Sequence, residues 1–263
     1  MLDLFDFLHY LNTNKRDATY SRIIIYLFNH LNEIRTLTIT EIADRCFVSP
    51  ATLSRFCRHF GISNFASLRE SLVSLASMKK HSGLRMKEQE LLDLTNDPKS
   101  YLASYGTEII TAINDVLETI DIAQVDNILA DIHQAEEVIL IGYSSTLDLA
   151  KDLQTSFLLS QKLIFVGETE ETQQAFVEEL SKDSVIIVIS SYGSVLNRSS
   201  ELMRKINDSP AKSILLTQHT QNTLTNQFDL SVNVTTTNYV RIGSYPLSFF
   251  LDYFVRRYTS LYQ

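Results

Sequence analysis

The sequence predicts an α/β protein overall, with an all-α N-terminal helix-turn-helix domain followed by a doubly wound parallel α/β domain. Two closely spaced helix starts, at Thr38 and Ser49, predict the first domain. Five short apolar runs after residue 136, separated by segments of about helical length, predict the second. The charge also divides the chain: residues 1–90 hold 12 Lys and Arg against 9 Asp and Glu, whereas the remaining residues hold 11 against 22.

The composition excludes several classes of protein. A net charge of -8 argues against binding nucleic acid with the whole surface, because an anionic surface repels phosphate. Cys46 and Cys57 are too few for a disulfide framework and lack histidines at ligand spacing, so we expect no metal and no cofactor. No apolar segment approaches the roughly 18 residues of a membrane span. Asp3 and Asp6 stand where a secretory signal has basic residues, so we expect a cytoplasmic protein without membrane contact.

Capping chemistry marks the two central helices of the N-terminal part. Thr38 and Glu41 fit an S/T-x-x-E box, in which each side chain satisfies the other's free backbone N–H. Ser49 followed by Pro50 places a cap before a proline at the first helical position. Gly61 supplies the left-handed residue that ends the helix. The helices are predicted at about 20–33, 39–46, 50–60 and 64–77.

The helix that starts after Ser49 has two different faces. Leu53, Phe56, Cys57 and Phe60 fall on one side of a helical wheel and are predicted to face the core. The opposite side is small, hydroxylic and basic, which suits a helix that enters the major groove of DNA. A three-helix bundle with a solvated basic face is the alternative. The candidate DNA-binding residues are Ser49, Pro50, Ala51, Thr52, Ser54, Arg55, Arg58 and His59.

Residues 77–100 contain charges, Gly83 and Pro98 and read as a partly helical linker. Helices near 101–119 and 121–134 follow. We therefore place the domain boundaries at 1–77, a linker over 78–104, and 105–263.

The apolar runs of the second part are rich in Val and Ile. Continuous apolar strands that alternate with helices indicate a parallel sheet covered on both faces, because each crossover lays a helix over it. The predicted strands are 137–142, 162–167, 184–190, 213–217 and 230–234.

Two of these strands end in loops of small hydroxylic residues. In open α/β sheets, ligands bind beyond the carboxyl ends of the strands, where the strand order reverses. Hydroxyl and backbone N–H groups at helix N-termini suit a phosphate, although the same residues also serve as plain helix caps. Arg241, between the last strand and the last helix, is a further candidate for an anion contact. The candidate effector-binding residues are Ser144, Ser145, Thr146, Ser190, Ser191, Tyr192, Gly193, Ser194 and Arg241.

The string "LTITEIADRCFVSPATLSRFCRHFGISNFASLRESL" resembles the DNA-binding domain of RpiR-type transcription regulators, which a sugar isomerase (SIS) domain follows. The resemblance implies that the two serine-rich loops hold the phosphate of a phosphosugar. The family patterns are G-x-G-x-S and S-x-S-G-x-T. Here Ser144 replaces the second Gly, Thr146 the Ser, Tyr192 a Ser, and Val195 the Thr. A phosphosugar-like effector, a different small anion and no effector at all therefore remain open.

A second departure from the usual helix-turn-helix pattern is Phe47, at a turn position where glycine is common. A Cβ there makes a left-handed turn conformation less favourable. The packing pattern around the turn is unaffected by this.

The resemblance implies a regulator, usually a repressor, of sugar or amino-sugar metabolism genes. It also implies a dimer or higher oligomer that binds a palindromic operator in double-stranded DNA. We expect no catalytic residues. The rival function is a sugar-phosphate isomerase with a helical appendage. Its acid and base would come from Asp148, Glu168, Glu170 and Glu171, which otherwise form negative helix starts.

Overall fold

The computed structural model describes residues 4–77, 85–192, 199–218 and 225–263. The chain divides into two compact units, Met1–Met86 and Lys87–Gln263. The first unit is all α-helical, and the second is a parallel α/β sheet domain. The predicted fold class is confirmed.

The first unit packs five helices around one core over its described residues. Phe7 of the first helix, in an opening stretch not assigned a helix above, meets Phe60 edge-on with ring centroids 4.7 Å apart. This contact closes an aromatic core that also contains Phe56. The helices are α1 (Leu4–Thr13), α2 (Thr19–Asn29), α3 (Ile39–Arg45), α4 (Pro50–His59) and α5 (Phe65–Ser77).

The capping predictions for α3 and α4 are confirmed. The Thr38 backbone N–H donates to Glu41 Oε2 at 2.7 Å, and the Glu41 N–H donates to Thr38 Oγ1 at 3.2 Å. Ser49 Oγ accepts from the Thr52 N–H at 3.1 Å, with Pro50 at the first position of the helix. Gly61 ends the helix in a left-handed conformation with φ 65°. Local side-chain chemistry therefore determines where these helices begin and end.

Phe47 occupies the turn between α3 and α4 in the left-handed region, with φ 55°. Its side chain is 85% exposed, so burial does not compensate the strained backbone. The turn geometry that glycine usually provides is therefore kept here without glycine. The neighbouring N–H of Val48 still donates to the Ala43 carbonyl at 2.9 Å and holds the turn closed.

The second unit is built around a five-stranded parallel sheet with strand order β2-β1-β3-β4-β5. All seven residues of β3 are buried, as expected for the central strand of a sheet with helices on both faces. The strands are β1 (Glu137–Ile141), β2 (Phe165–Val166), β3 (Ser184–Ser190), β4 (Lys212–Thr217) and β5 (Leu230–Asn233).

Alternate strand residues enter two separate cores. Val138 and Leu140 of β1 pack on one face of the sheet, and Ile139 and Ile141 pack on the other. The larger core includes side chains from the helices over 122–134, 145–159 and 245–262, and the smaller core those from the helices over 170–179 and 200–208. The helices of this unit are α6 (Glu88–Asn96), α7 (Pro98–Thr119), α8 (Ile122–Gln134), α9 (Ser145–Leu159), α10 (Glu170–Glu179), α11 (Ser200–Asp208) and α12 (Tyr245–Tyr262).

The predicted linker over 78–104 differs from the structure in its described part. Residues 88–96 form α6, and α7 already begins at Pro98, so the second unit starts at Lys87. Asp97 caps α7 by accepting from the Ser100 N–H at 3.0 Å, and Pro98 takes the first helical position. A proline read as a linker signal is therefore a helix-start signal.

All five predicted strands are present among the described residues, and β2 is shorter than its apolar run. Within the described ranges, no helix has both the length and the apolar character to cross a membrane.

Candidate nucleic-acid interface and ligand site

The outer face of α4 is exposed as predicted. Leu53, Phe56 and Cys57 are fully buried, so the opposite side of the helix meets solvent. Thr52 is partly buried, and Phe60 is partly buried against the core. The exposed candidates on this face are Ser49, Pro50, Ala51, Ser54, Arg55, Arg58 and His59.

A row of hydrogen bonds runs along the exposed face and orients one arginine. Ser49 Oγ lies 2.9 Å from Thr52 Oγ1, and Arg55 Nη2 donates to the same Thr52 oxygen at 3.2 Å. Residues three apart lie above one another on a helix, so the row points Arg55 along the helix face. An ordered guanidinium loses less side-chain entropy when it binds a base edge or a phosphate.

The two arginines of this face keep their charge available. Among the described residues, neither Arg55 nor Arg58 forms an ion pair. By contrast, Arg45 at the end of α3 is bound to Glu33 at 2.8 Å. Arg55 and Arg58 are therefore the basic groups of α4 that are free for phosphate or guanine. His59 lies to one side, with its ring 5.1 Å from Tyr20 and 5.7 Å from Tyr10.

The loop after β1 is a tight turn. The Thr146 N–H donates to the Tyr143 carbonyl at 3.1 Å. Ser144, the second residue of the turn, has φ 58° and ψ -128°, a type II′ conformation normally occupied by glycine. Thr146 Oγ1 donates to the Tyr143 carbonyl and accepts from its N–H, so this hydroxyl already serves the turn. Ser145 is exposed at the start of α9.

Two glycines let helices approach the ends of β1 and β2. A Cβ on Gly142 would lie 2.6 Å from the Thr146 carbonyl oxygen, and one on Gly167 would lie 2.6 Å from Gln173 Cγ. Gln173 of α10 is buried and joins both strand ends, because its Nε2 donates to the Gly142 and Gly167 carbonyls at 3.0 and 2.9 Å. These contacts fix the backbone around the predicted ligand site.

The end of β3 carries hydroxyls with no bonding partner. Ser190 and Ser191 are 1% and 4% exposed, and neither Oγ has a hydrogen-bond partner in the part of the chain that the structure describes. Buried hydroxyls are usually satisfied, so this pair makes the end of β3 a candidate ligand contact. Tyr192 Oη donates to the Val240 carbonyl at 3.4 Å. Gly193 and Ser194 lie outside the described residues.

The fold brings the two loops to one edge. β1 and β3 are parallel neighbours at the point where the strand order reverses, since β2 lies on one side of β1 and β3 on the other. Their carboxyl ends therefore border the crevice where ligands bind in open α/β sheets. The N-terminus of α9 adds a positive helix dipole at the same edge.

Arg241 has partners that the sequence did not reveal. Its Nη1 lies 2.6 Å from Glu108 Oε2 and its Nε 2.8 Å from Glu90 Oε1. The guanidinium carbon also lies 4.9 Å from the centre of the Tyr101 ring and 5.5 Å from that of Tyr105. Two carboxylates already balance its charge, so its effector-binding role stays a prediction that the site described above does not need.

A cavity of about 390 Å³ lies beside Arg241. Its lining is rich in carboxylates, which repel a phosphate, so it differs from the strand-end site. The lining residues are Glu90, Asp93, Asn96, Asp97, Ser100, Tyr101, Ser104 and Arg241. Within the described ranges, no three His, Cys, Asp or Glu side chains are grouped as a metal site.

The carboxylates of the rival enzyme are occupied or exposed. Glu170 accepts hydrogen bonds from Ser199 and Gln174, which connects the start of α10 to the cap of α11. Glu168 pairs with Lys151 at 2.7 Å. Asp148 and Glu171 are exposed side chains in the first turns of α9 and α10. Glu170 and Glu171 form the predicted negative first turn of α10, whereas Glu168 precedes the capping residue Thr169.

Residues 6–79 match the family model of the helix-turn-helix domain of the rpiR family, and residues 131–254 match that of the SIS domain. The chain belongs to the RpiR family of transcriptional regulators. A relative from Providencia stuartii, named as an uncharacterized HTH-type transcriptional regulator in the aarA 3' region, is 22% identical over 217 residues. The match covers 82% of this chain and 75% of the relative.

Solved structures share the fold of this RpiR-family regulator. The Vibrio vulnificus NanR protein complexed with ManNAc-6P has a TM-score of 0.54 and 16% identity, over 97% of this chain and 92% of that one. Phosphoheptose isomerase GmhA from Neisseria gonorrhoeae has a TM-score of 0.51 and 13% identity, over 62% of this chain and 98% of that one. Regulators and isomerases therefore share this α/β architecture.

Sequence reasoning missed Gln173 and Tyr143 near the ligand site. Burial raises the pKa of Tyr143, and the nearby Glu170 carboxylate raises it further, so the phenol stays protonated. Gln173 gives no sequence signal, because it lies between polar residues at the start of α10. Tyr143 directly follows Gly142 in the loop after β1, and its bulk among small residues was the available hint.

Proposed function

We propose that this regulator reads operator DNA with the exposed face of α4 and responds to a phosphosugar-like effector bound at the ends of β1 and β3. The observation that carries the first part is the ordered Arg55 on a slim helix face whose arginines have no acidic partner among the described residues. A helix enters the major groove only with small residues in front, and Ala51 and Ser54 provide them. Arg55 is placed to contact a base edge and Arg58 a phosphate.

A homodimer completes the proposed DNA recognition. One α4 offers two free arginines, which is a small electrostatic footprint for a specific site. Two copies related by a two-fold axis double the contacts and read half-sites about 34 Å apart. The operator is therefore proposed to be palindromic.

The proposed effector site uses neutral donors. Ser190 and Ser191 supply buried hydroxyls, and the start of α9 supplies the positive end of its helix dipole. The NanR structure with ManNAc-6P supports a phosphosugar-like ligand for this fold. We propose that such an effector regulates genes of sugar or amino-sugar metabolism, and that the protein is a repressor whose effector binds one arrangement of the dimer better than the other.

We propose that the protein is not an enzyme. The shared fold of GmhA keeps a sugar-phosphate isomerase as the second candidate. An isomerase needs a base over the substrate, whereas Glu170 is engaged by Ser199 and Gln174. Turnover of phosphosugars by the purified chain, abolished by Glu170→Gln, would replace the regulator proposal.

The DNA-binding proposal is tested with operator fragments recovered by sequencing genomic DNA bound to the protein. Arg55→Ala should weaken operator binding by at least about 5- to 150-fold, because one base contact contributes about 1–3 kcal/mol and the variant dimer loses one in each half-site. The matched control is Arg256→Ala, which removes the same charge from α12, where Arg256 is 74% exposed. Equal affinities for both variants and the wild-type chain would remove Arg55 from the recognition surface.

The effector proposal is tested with Ser190→Ala and a panel of phosphosugars at millimolar concentration. Since the Ser190 hydroxyl has no partner among the described residues, its removal should leave the melting temperature unchanged or raised. The same variant should lose the effector-induced rise in melting temperature. A Ser190→Ala chain that melts much earlier without any ligand would show that the hydroxyl supports the fold instead.

A further inference from the structure

The long helix α7 carries an apolar line that the described chain leaves uncovered. Ala112 and Val116 on one side are buried in the unit. On another side, Leu102, Ile110 and Leu117 are 68%, 63% and 65% exposed. At about 100° per residue these three lie within about 80° of one another, so they form one continuous stripe. A helix with two apolar faces is typical of a helix buried on both sides.

Gly106 lies on the same stripe and has no packing role within the chain. A Cβ added to Gly106 meets no atom within 4 Å. Glycine weakens the interior of a helix relative to alanine, so its presence needs a reason. Close approach of a surface from outside the chain supplies that reason. We refer to Leu102, Gly106, Ile110, Ile113 and Leu117 as the α7 stripe.

The order of residues along the stripe suits a second copy of the same helix. Leu102 and Leu117 are equidistant from the midpoint between Ile109 and Ile110, and so are Gly106 and Ile113. In an antiparallel pair about a two-fold axis at that midpoint, each residue meets its equidistant counterpart. Leucine then meets leucine at both ends, and each isoleucine at position 113 enters the notch at Gly106.

The charges at the two ends of the stripe fit the same arrangement. Lys99 lies near the start of α7, and Glu118 lies near its end. Antiparallel pairing brings these ends together, with the two residues offset by about 3 Å along the axis. A parallel pair would instead place Lys99 beside Lys99 and Glu118 beside Glu118, which is unfavourable.

We infer that the α7 stripe is the surface through which two copies of this chain pair, with their α7 helices antiparallel. The inference rests on the proposed two-fold recognition of DNA and identifies the surface that would produce it. It differs from that proposal in being measurable without DNA.

Sedimentation velocity of the full chain tests the inference. Ile110→Lys should raise the dimer dissociation constant by about 100-fold or more, because each dimer loses two buried isoleucines. Gly106→Leu should also dissociate the dimer while keeping its helical circular dichroism, since its own chain has room for the side chain. The matched control, Leu159→Lys on α9, changes a leucine that is 79% exposed and should remain dimeric.

Disulfide trapping reports the direction of pairing. Ile110→Cys should cross-link to itself, because its two copies lie within about 2 Å along the axis. Leu102→Cys alone should not, because its two copies are about 22 Å apart along the axis. A mixture of Leu102→Cys and Leu117→Cys chains should cross-link. The wild-type chain is the background, since Cys46 and Cys57 are buried.

Three results would overturn the inference: a monomeric wild-type chain, an Ile110→Lys chain that stays dimeric, or self-linking of Leu102→Cys. A dimer that survives Ile110→Lys and still binds operator would refute the α7 stripe and leave the DNA-binding proposal intact. Conversely, an Arg55→Ala chain that remains dimeric but no longer binds operator would show that DNA contact and pairing use different surfaces.

Discussion

Replacing Ser144 with glycine is expected to stabilise the second unit. Ser144 holds φ 58° and ψ -128° in the turn after β1, a region that glycine adopts without strain. Strain of this kind amounts to about 1–3 kcal/mol. Glycine offsets about 0.5–1 kcal/mol of the gain through the greater freedom of the unfolded chain. The free energy of unfolding should therefore rise by about 0.5–2 kcal/mol.

Urea and thermal unfolding of the full chain measure this change. The chain has no tryptophan, so far-UV circular dichroism follows the transition. A gain of 1 kcal/mol should raise the melting temperature of a unit of this size by about 2–4 °C. The control is Ser144→Ala, which removes the hydroxyl but keeps the Cβ and hence the strain.

The reasoning would be refuted by a glycine variant that is no more stable than the wild-type and alanine chains. Such a result would mean that the Ser144 side chain forms contacts that outweigh its backbone strain. If glycine stabilises the unit and also weakens effector binding, the serine is retained for the ligand and not for the fold.

Three further perturbations test other parts of the structure. Phe47→Gly should raise the stability of the first unit by about 0.5–1 kcal/mol in thermal unfolding, whereas Phe47→Ala, which keeps a Cβ at φ 55°, should not. Gly142→Ala should lower the stability of the second unit by about 1–3 kcal/mol, because its Cβ would lie 2.6 Å from the Thr146 carbonyl oxygen; a neutral substitution would show that α9 shifts freely. Asp115→Asn should cost about 1–3 kcal/mol at pH 7. Burial tends to raise the pKa of Asp115, but hydrogen bonds from Thr236 outweigh this effect, and the pKa is lowered. The stability that the Asp115 carboxylate contributes is therefore present above the usual aspartate range and is lost as the pH falls below about 4. An equal difference between Asp115→Asn and wild type at pH 7 and pH 3 would contradict the assignment.

Local chemistry explains why the exposed face of α4 was predictable. Thr38, Glu41 and Ser49 form hydrogen bonds with backbone groups three residues away. The helix starts can therefore be predicted from short stretches of sequence. The burial of Leu53 and Phe56 follows from the helical period once the start of α4 is known. The same reasoning misplaced the start of the second unit, because Pro98 is both a common linker residue and a favoured first residue of a helix.

The ligand site was less predictable because its geometry comes from contacts between distant residues. The pairing of Arg241 with Glu90 and Glu108 joins segments more than 130 residues apart, and no periodicity reveals it. Gln173 of α10 reaches Gly142 across 31 residues of sequence in the same way. The sequence located the two loops because strand ends in a parallel sheet share one edge.

The two proposed sites would bind anionic groups with different kinds of side chain. Arg55 on α4 is a cation at the surface. Its binding to a DNA phosphate would release counterions condensed on the DNA. At the strand ends, Lys151 is already held by Glu168, so the phosphate would meet hydroxyls and the dipole of α9. Neutral donors would keep an empty site from accumulating positive charge beside the partly buried Tyr143, and Ser190 and Ser191 would select an anion by its shape. With this division, one acidic chain could hold both the proposed DNA-binding face and the proposed anion site without either site competing for the ligand of the other.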